Sequence, residues 1–110
     1  MKSIAGLFLF LALFGSLCSG ADPACAASAT DRAGKLLIFH VGPDDRVAIE
    51  KSVKELPSLR NPEDPRQKFE VLEVWGHIYK AKYRMRFIYY NTPATKCLLM
   101  GEEILEHARL

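Results

Sequence analysis

The segment from Lys82 to Tyr90 has apolar or aromatic side chains at every second position, and as far as Arg86 the positions between them are basic. One set is apolar or aromatic and the other is basic: Tyr83, Met85, Phe87 and Tyr89 against Lys82, Arg84 and Arg86. A period of two with one apolar face is typical of a half-buried antiparallel strand. The chain is therefore expected to contain a sheet with one face on a core and a basic opposite face.

The preceding segment shows the same period from Lys68 onward. Phe69, Val71 and Trp75 would share one face, interrupted by Glu73, while Leu72 and Val74 would share the other. Residues 76–81 would connect this strand to the next, so residues 69–90 predict an antiparallel hairpin. A turn at residues 91–93 and a further strand at residues 95–100 follow. Residues 101–110 fit either a helix or a continued strand.

A helix is predicted between residues 44 and 56. Pro43 suits the first helical position, and Asp44 beside it suits the positive end of a helix. Ile49, Val53 and Leu56 recur at the spacing of one helical face. The apolar run at residues 35–41 is predicted to be a strand that ends at Gly42, and the proline-containing segment 58–67 is predicted to be a loop. This order predicts an α+β fold with one antiparallel β-sheet wrapped across a single α-helix.

The N-terminus has the character of an export signal. Lys2 is the only charged residue among residues 1–20, and an apolar run from Ile4 to Leu17 follows it. Cys18, Ser19 and Gly20 supply small residues before a cleavage point. We expect residues 1–20 to be a signal peptide, residues 21–34 a flexible arm, and residues 35–110 the folded domain of a secreted, extracellular protein. An uncleaved signal anchor is the alternative, although the run is short for a membrane span.

Charge excludes several partners. Without residues 1–20, the chain holds 14 basic and 13 acidic residues. Nucleic acid and anionic membranes attract proteins with a larger basic excess, so neither is an expected partner once the signal is cleaved. The stripe Lys82, Arg84 and Arg86 is then better explained as the solvated face of a sheet.

Two cysteines, Cys25 and Cys97, remain after cleavage at Gly20. An oxidising compartment allows them to form a disulfide, and such a bridge would contribute about 4 kcal/mol by limiting the unfolded chain. Two independent thiols are the alternative, and cleavage after Ala27 would remove Cys25 altogether.

The sequence contains no motif of a common catalytic or cofactor site. It lacks the nucleophile-elbow, zinc-protease and phosphate-loop patterns. Glu103 and His107 have a spacing that would place both on one helical face, but a solvated face explains them without a metal. We therefore predict a protein that is not an enzyme and that uses no catalytic residue, metal or cofactor.

The region from Gly42 to Cys97 resembles the cystatin superfamily, which inhibits papain-like cysteine proteases. Gly42 with the predicted helix is similar to the family's glycine-containing trunk and long helix. The hairpin at residues 69–90 is similar to its central hairpin. Cys97 lies close to the position where secreted cystatins carry the first cysteine of a disulfide.

The resemblance implies inhibition by occlusion, in which a trunk and hairpin loops fill the protease cleft without any chemical step. The family's first loop reads Q-x-V-x-G, and residues 77–81 occupy its place with a different sequence. The implied protease-binding residues are Val41, Gly42, His77, Ile78, Tyr79, Lys80 and Ala81. The family's second loop, with its Pro-Trp pair, has no counterpart, and a backbone with positive φ at Ala81 would be strained.

The predicted function is therefore a secreted cystatin-like inhibitor whose partner is a papain-like cysteine protease. The alternative is a non-inhibitory binding module on the same scaffold, with the basic stripe as its surface. A monomer and a domain-swapped dimer are both compatible with the sequence.

Overall fold

The structure is a computed structural model that describes residues 23–107. The predicted signal peptide, residues 1–20, lies outside the described residues. Within them the chain forms one helix, α1 (Ala26–Val41), and five strands. The strands are β1 (Val47–Ile49), β2 (Lys54–Asn61), β3 (Asp64–Ile78), β4 (Ala81–Tyr90) and β5 (Leu98–His107). For residues 23–107, the predicted α+β class with one antiparallel sheet and a single helix is confirmed.

All pairings in the sheet are antiparallel, and β3 is its longest member. β1 and β2 both pair with β3, at different parts of its length, while β4 pairs with β3 and β5 pairs with β4. The hairpin predicted at residues 69–90 is confirmed as β3 and β4, joined by Tyr79 and Lys80. β5 continues to His107, so the ambiguous segment after residue 100 is a strand as far as that residue.

The helix lies elsewhere in the chain than predicted. The expected strand at residues 35–41 is wrong, because these residues are the second half of α1. Residues 26–34, placed in a flexible arm, form its first half. Gly42 follows the last turn and donates its N–H to the carbonyl of Ile38 at 2.8 Å, so Gly42 and Pro43 end a helix and do not begin one.

The predicted helix at residues 44–56 is also wrong. Asp44 accepts hydrogen bonds from Arg46 in a turn, and β1 and the start of β2 follow it. Pro57 lies within β2 at a register shift between Leu56 and Leu59, which is a position where a strand tolerates proline. The loop predicted at residues 58–67 is reduced to residues 62 and 63, between β2 and β3.

The core lies between α1 and one face of the sheet. α1 contributes Ala29, Ala33, Leu36 and Leu37, and the sheet contributes Leu72, Val74, Met85 and Phe87. Gly76 on β3 allows the close approach of the helix, since a Cβ there would lie 2.9 Å from Cδ2 of Leu37. The faces predicted for β4 are confirmed: its apolar residues are buried under α1, and its basic residues lie on the opposite face, which we call the outer face.

Candidate functional site

The turn between β3 and β4 projects one aromatic side chain into solvent. Ile78 pairs with Ala81, so only Tyr79 and Lys80 form the turn. The Tyr79 side chain is 71% exposed, and Lys80 is also exposed. Ile78 and Ala81 are both buried in the core. The turn is therefore anchored on either side by core residues, and its tip is the part that is free to touch another molecule.

Tyr79 adopts a backbone conformation that a bulky residue rarely takes. Its φ is 54°, whereas Ala81 has no positive φ, so the strain expected at Ala81 is absent. Two-residue hairpin turns usually place glycine, asparagine or aspartate at positions with positive φ. A tyrosine in this region costs about 1–3 kcal/mol, and such strain is concentrated at functional sites. Tyr79 is thus a candidate functional residue on backbone grounds as well as by its exposure.

The end of α1 presents further apolar surface at the same end of the molecule. His40 contacts Tyr83 on β4, with ring centroids 6.0 Å apart, which places the last turn of α1 beside this hairpin. Phe39 is 88% exposed, and Ile38 and Val41 are also exposed. Gly42 then reverses the chain with a φ of 89°.

The loop after α1 connects its end to the turn. Arg46 places its guanidinium carbon 5.8 Å from the ring centroid of Tyr79, and Lys80 places Nζ 5.5 Å from the same centroid. Arg46 also binds the carboxylate of Asp44 through Nε and Nη2, at 3.0 and 2.9 Å. Hydrogen bonds from the Arg46 side chain and backbone lower the pKa of Asp44 to about 2. This carboxylate therefore stays ionised and keeps Arg46 beside Tyr79.

His77 stabilises the sheet next to the turn. Its Nε2 lies 2.6 Å from Oε2 of Glu50, the residue after β1. The N–H of Glu50 donates to the carbonyl of Trp75 at 2.9 Å, so the loop after β1 is held against β3 twice. His77 is placed as a supporting residue, behind the tip formed by Tyr79 and Lys80.

We call the surface formed by Phe39, Val41, Arg46, Tyr79 and Lys80 the hairpin end. Arg46 and Lys80 lie beside the exposed ring of Tyr79, and the exposed Phe39 and Val41 lie on the last turn of α1 near the same hairpin, a composition suited to binding a protein surface. Four of the residues predicted from the sequence lie at this end of the molecule: Val41, Tyr79 and Lys80, which are exposed, and Gly42, which is partly exposed. Ile78 and Ala81 instead face the core.

The basic stripe is largely neutralised by carboxylates on the outer face. Arg86 donates from Nε to Oε1 of Glu73 at 2.9 Å, and Arg84 places Nη2 at 3.5 Å from Oε2 of Glu103. Burial raises the pKa of Glu73, but hydrogen bonds from Arg86 and Trp75 outweigh this effect and hold the pKa below its usual value. Lys82 lies over the ring of Trp75, with Nζ 4.7 Å from its centroid. These contacts weaken the stripe as a free cationic surface.

The two remaining cysteines lie together. Cys25 and Cys97 form a disulfide with a Cα–Cα distance of 5.7 Å. Cys25 immediately precedes α1, and Cys97 immediately precedes β5. The bridge therefore fastens the first turn of the helix to the edge of the sheet, at the end opposite the turn formed by Tyr79 and Lys80. The alternative of two independent thiols is not what the structure contains.

Glu103 and His107 do not have the helical arrangement that a shared metal would need. Both lie on β5, where four residues span about 13 Å. Across residues 23–107, no group of three or more potential metal-ligating side chains comes together. In the same part of the chain, no helix has the length and apolar character needed to cross a bilayer.

Comparison with known proteins adds no relationship: no family model, no curated protein and no solved structure matches the chain significantly.

Sequence reasoning missed two members of the hairpin end, Phe39 and Arg46. Phe39 was placed in a strand, where alternate residues of an apolar run are expected to be buried. In α1, Leu36 and Leu37 face the sheet, and Phe39 points away from it. The spacing of Ala29, Ala33, Leu36 and Leu37 is the signal that would have identified this helix.

Proposed function

We propose that this protein is a secreted inhibitor that binds a papain-like cysteine protease through the hairpin end and blocks its active-site cleft without a chemical step. The observation that carries the proposal is Tyr79, an exposed aromatic side chain at the tip of a two-residue turn whose flanking residues are buried. Occlusion needs a protruding, preorganised group and no nucleophile.

The backbone of the turn supports a binding role for Tyr79. A glycine at this position would relieve the positive φ, yet the sequence has tyrosine. Residues that break a local rule without benefit to the fold are expected at functional sites. The cost in stability is offset, in this proposal, by affinity for the partner.

The choice of a papain-like protease rests on the resemblance to cystatins. A long antiparallel hairpin at residues 69–90 supports the resemblance. Cys97 departs from it, because it pairs with the earlier Cys25 and is therefore the second cysteine of its bridge, where the resemblance implied the first. The first element of the resemblance needs correction, because α1 precedes Gly42 and does not follow it. Val41 and Gly42 therefore enter the proposal as the exposed end of a helix, beside the hairpin, in place of an extended trunk.

The test is a titration of papain-like proteases with the mature protein, oxidised and reduced. The oxidised wild type is expected to inhibit, and Tyr79→Asp is expected to weaken inhibition by at least about 30-fold, the effect of losing an aromatic anchor worth 2 kcal/mol. Leu98→Asp is the matched control, since Leu98 is 49% exposed but lies near the opposite end of β4 and β5. Equal losses in both variants would contradict the assignment of the site.

Tyr79→Gly separates binding from folding. This variant removes the side chain and relieves the positive φ, so its melting temperature is expected to stay equal or rise while inhibition is lost. No inhibition by the wild type at about 100 μM would refute the inhibitor proposal, since it corresponds to a binding free energy weaker than about −5.5 kcal/mol. The alternative, a non-inhibitory binding module, would then be the remaining function.

A further inference from the structure

The outer face of the sheet contains an open groove that the proposed function does not use. The groove has a volume of about 450 Å³, within the range of about 300–1,000 Å³ found for small-molecule sites. Apolar side chains from three strands form most of its lining: Leu56, Pro57, Leu59, Val71 and Ile88. Val71 is buried at its floor, whereas Leu59 is 48% exposed at its rim.

One cation faces this groove with donors to spare. Arg86 lines the groove. Among the three nitrogens of its guanidinium, only Nε makes a hydrogen bond within residues 23–107, and its partner is Glu73. The two terminal nitrogens of its guanidinium, which carry the remaining donors, are available to an anion. The bond to Glu73 restricts the rotation of the guanidinium, which lowers the entropy cost of binding a ligand on the remaining nitrogens.

Each carboxylate near the groove is paired with an arginine. Glu103 lies on the outer face, 3.5 Å from Nη2 of Arg84. Glu102 pairs with the buried Phe87 and directs its carboxylate to the helix-covered face, where it accepts two hydrogen bonds from Arg32, both at 2.7 Å. Glu73 pairs with Arg86 in the same way, so the charges around the groove balance. The two terminal nitrogens of Arg86 nevertheless make no hydrogen bond to the protein within residues 23–107. The groove thus joins an apolar trough to one end where guanidinium donors have no protein partner.

We propose that the outer-face groove binds a small amphipathic carboxylate, with its hydrocarbon tail along Leu56, Val71 and Ile88 and its head on Arg86. The two unpartnered nitrogens of Arg86 select a head group that accepts hydrogen bonds, and the apolar lining selects a tail of several methylenes. A planar carboxylate fits the paired donors of a guanidinium. This site is independent of the hairpin end, and neither proposal rests on the other.

The probe is sodium dodecanoate below its micellar concentration, titrated into the oxidised mature protein. Trp75, the sole tryptophan, donates from Nε1 to Oε2 of Glu73 at 3.1 Å, and the other oxygen of Glu73 accepts from Arg86. Binding at Arg86 is therefore expected to change Trp75 emission, and calorimetry gives the stoichiometry. We expect one site per chain with a dissociation constant below about 100 μM.

Two probes vary the ligand. Butyrate keeps the head without a long tail, and dodecyltrimethylammonium keeps the tail with the opposite charge. Both are expected to bind at least about tenfold more weakly than dodecanoate, because each loses one of the two contacts. Equal binding of the cationic probe would refute the role of Arg86.

Two variants test the site on the protein. Gly101→Leu should fill the groove, because Gly101 lines it and a Cβ there would meet Ile88 at an ordinary contact of 3.5 Å. Arg86→Gln removes the cation. Each is expected to weaken dodecanoate at least about tenfold, with Tyr79→Asp as the unaffected control. Unchanged dodecanoate binding in folded Gly101→Leu, or no binding by the wild type at about 1 mM, would overturn the proposal.

Discussion

Removing the disulfide between Cys25 and Cys97 is expected to cost about 4 kcal/mol of unfolding free energy. The two cysteines are 72 residues apart in the sequence, and the chain-entropy relation assigns this amount to a loop of that length at 25 °C. Most of the effect arises in the unfolded chain, which gains conformational freedom when the link is broken. The folded chain keeps its helix and sheet contacts.

The measurement is urea unfolding of the wild type with and without reductant, and of the double variant Cys25→Ala, Cys97→Ser. Linear extrapolation to zero urea gives the free energy of unfolding in water. The slope of the unfolding free energy against urea concentration is expected to become steeper on reduction, because the unfolded chain without the link exposes more surface. Reduction of the wild type leaves Cys25 in place, so it separates the effect of the link from that of a lost buried sulfur atom.

Arg32→Gln is the matched control for this experiment. Arg32 and Glu102 also join α1 to β5, but without a covalent bond, and an exposed ion pair contributes at most about 1 kcal/mol. A loss below about 1 kcal/mol on reduction, with no change in the urea slope, would refute the reasoning.

Three further predictions concern the helix and the sheet. Leu37→Ala is expected to lower the unfolding free energy by about 2–5 kcal/mol, because Leu37 is fully buried. Phe39→Ala on the same helix is expected to change it by less than about 0.5 kcal/mol, because Phe39 is exposed. Similar values for the two variants in urea unfolding would contradict the placement of α1. Gly76→Val is expected to destabilise by about 1–3 kcal/mol, since its Cβ would lie 2.9 Å from Leu37; an unchanged melting temperature would show that the helix lies farther from β3. The hydrogen bonds from Arg32 lower the pKa of Glu102 in the folded state, so ionised Glu102 stabilises the protein above its unfolded pKa and the contribution is lost as pH falls through the folded pKa. Glu102→Gln is therefore expected to cost up to about 1 kcal/mol at neutral pH and progressively less below pH about 4.5, and a cost that persists in acid would refute the ion-pair explanation.

The strands at the centre of the sheet were predictable because their sequence has a single interpretation. β4 alternates between buried residues such as Met85 and Phe87 and outward residues such as Arg84 and Arg86. A period of two over nine residues does not fit a helix, and the neighbouring run from Phe69 has the same period. Two neighbouring runs with a period of two therefore predicted the hairpin of β3 and β4.

The helix was misplaced because two segments carry helical signals. Asp44 after a proline resembles a helix start, but in the fold it caps a turn through Arg46. Ile49 and Leu56 instead belong to β1 and β2, which both pair with β3. The true helix buries mainly alanines in its first half, which give a weak hydrophobic pattern, and its stability comes from packing against β1, β3 and β4.

The candidate site was predictable in part. The position of Tyr79 in the connection between two alternating strands identified the turn from the sequence. The contribution of Phe39 and Arg46 depended on where α1 ends, which the sequence pattern did not give. The groove on the outer face was not predictable, because it requires the register that brings Leu56, Val71 and Ile88 side by side.

The central claim is that the hairpin end occupies the active-site cleft of a papain-like protease. The most direct measurement is calorimetric binding of the oxidised mature protein to such a protease, before and after a small covalent inhibitor fills its cleft. We predict one-to-one binding to the open enzyme, loss of that binding when the cleft is filled, and the same loss with Tyr79→Gly. Equal binding to the open and the filled enzyme would contradict the claim.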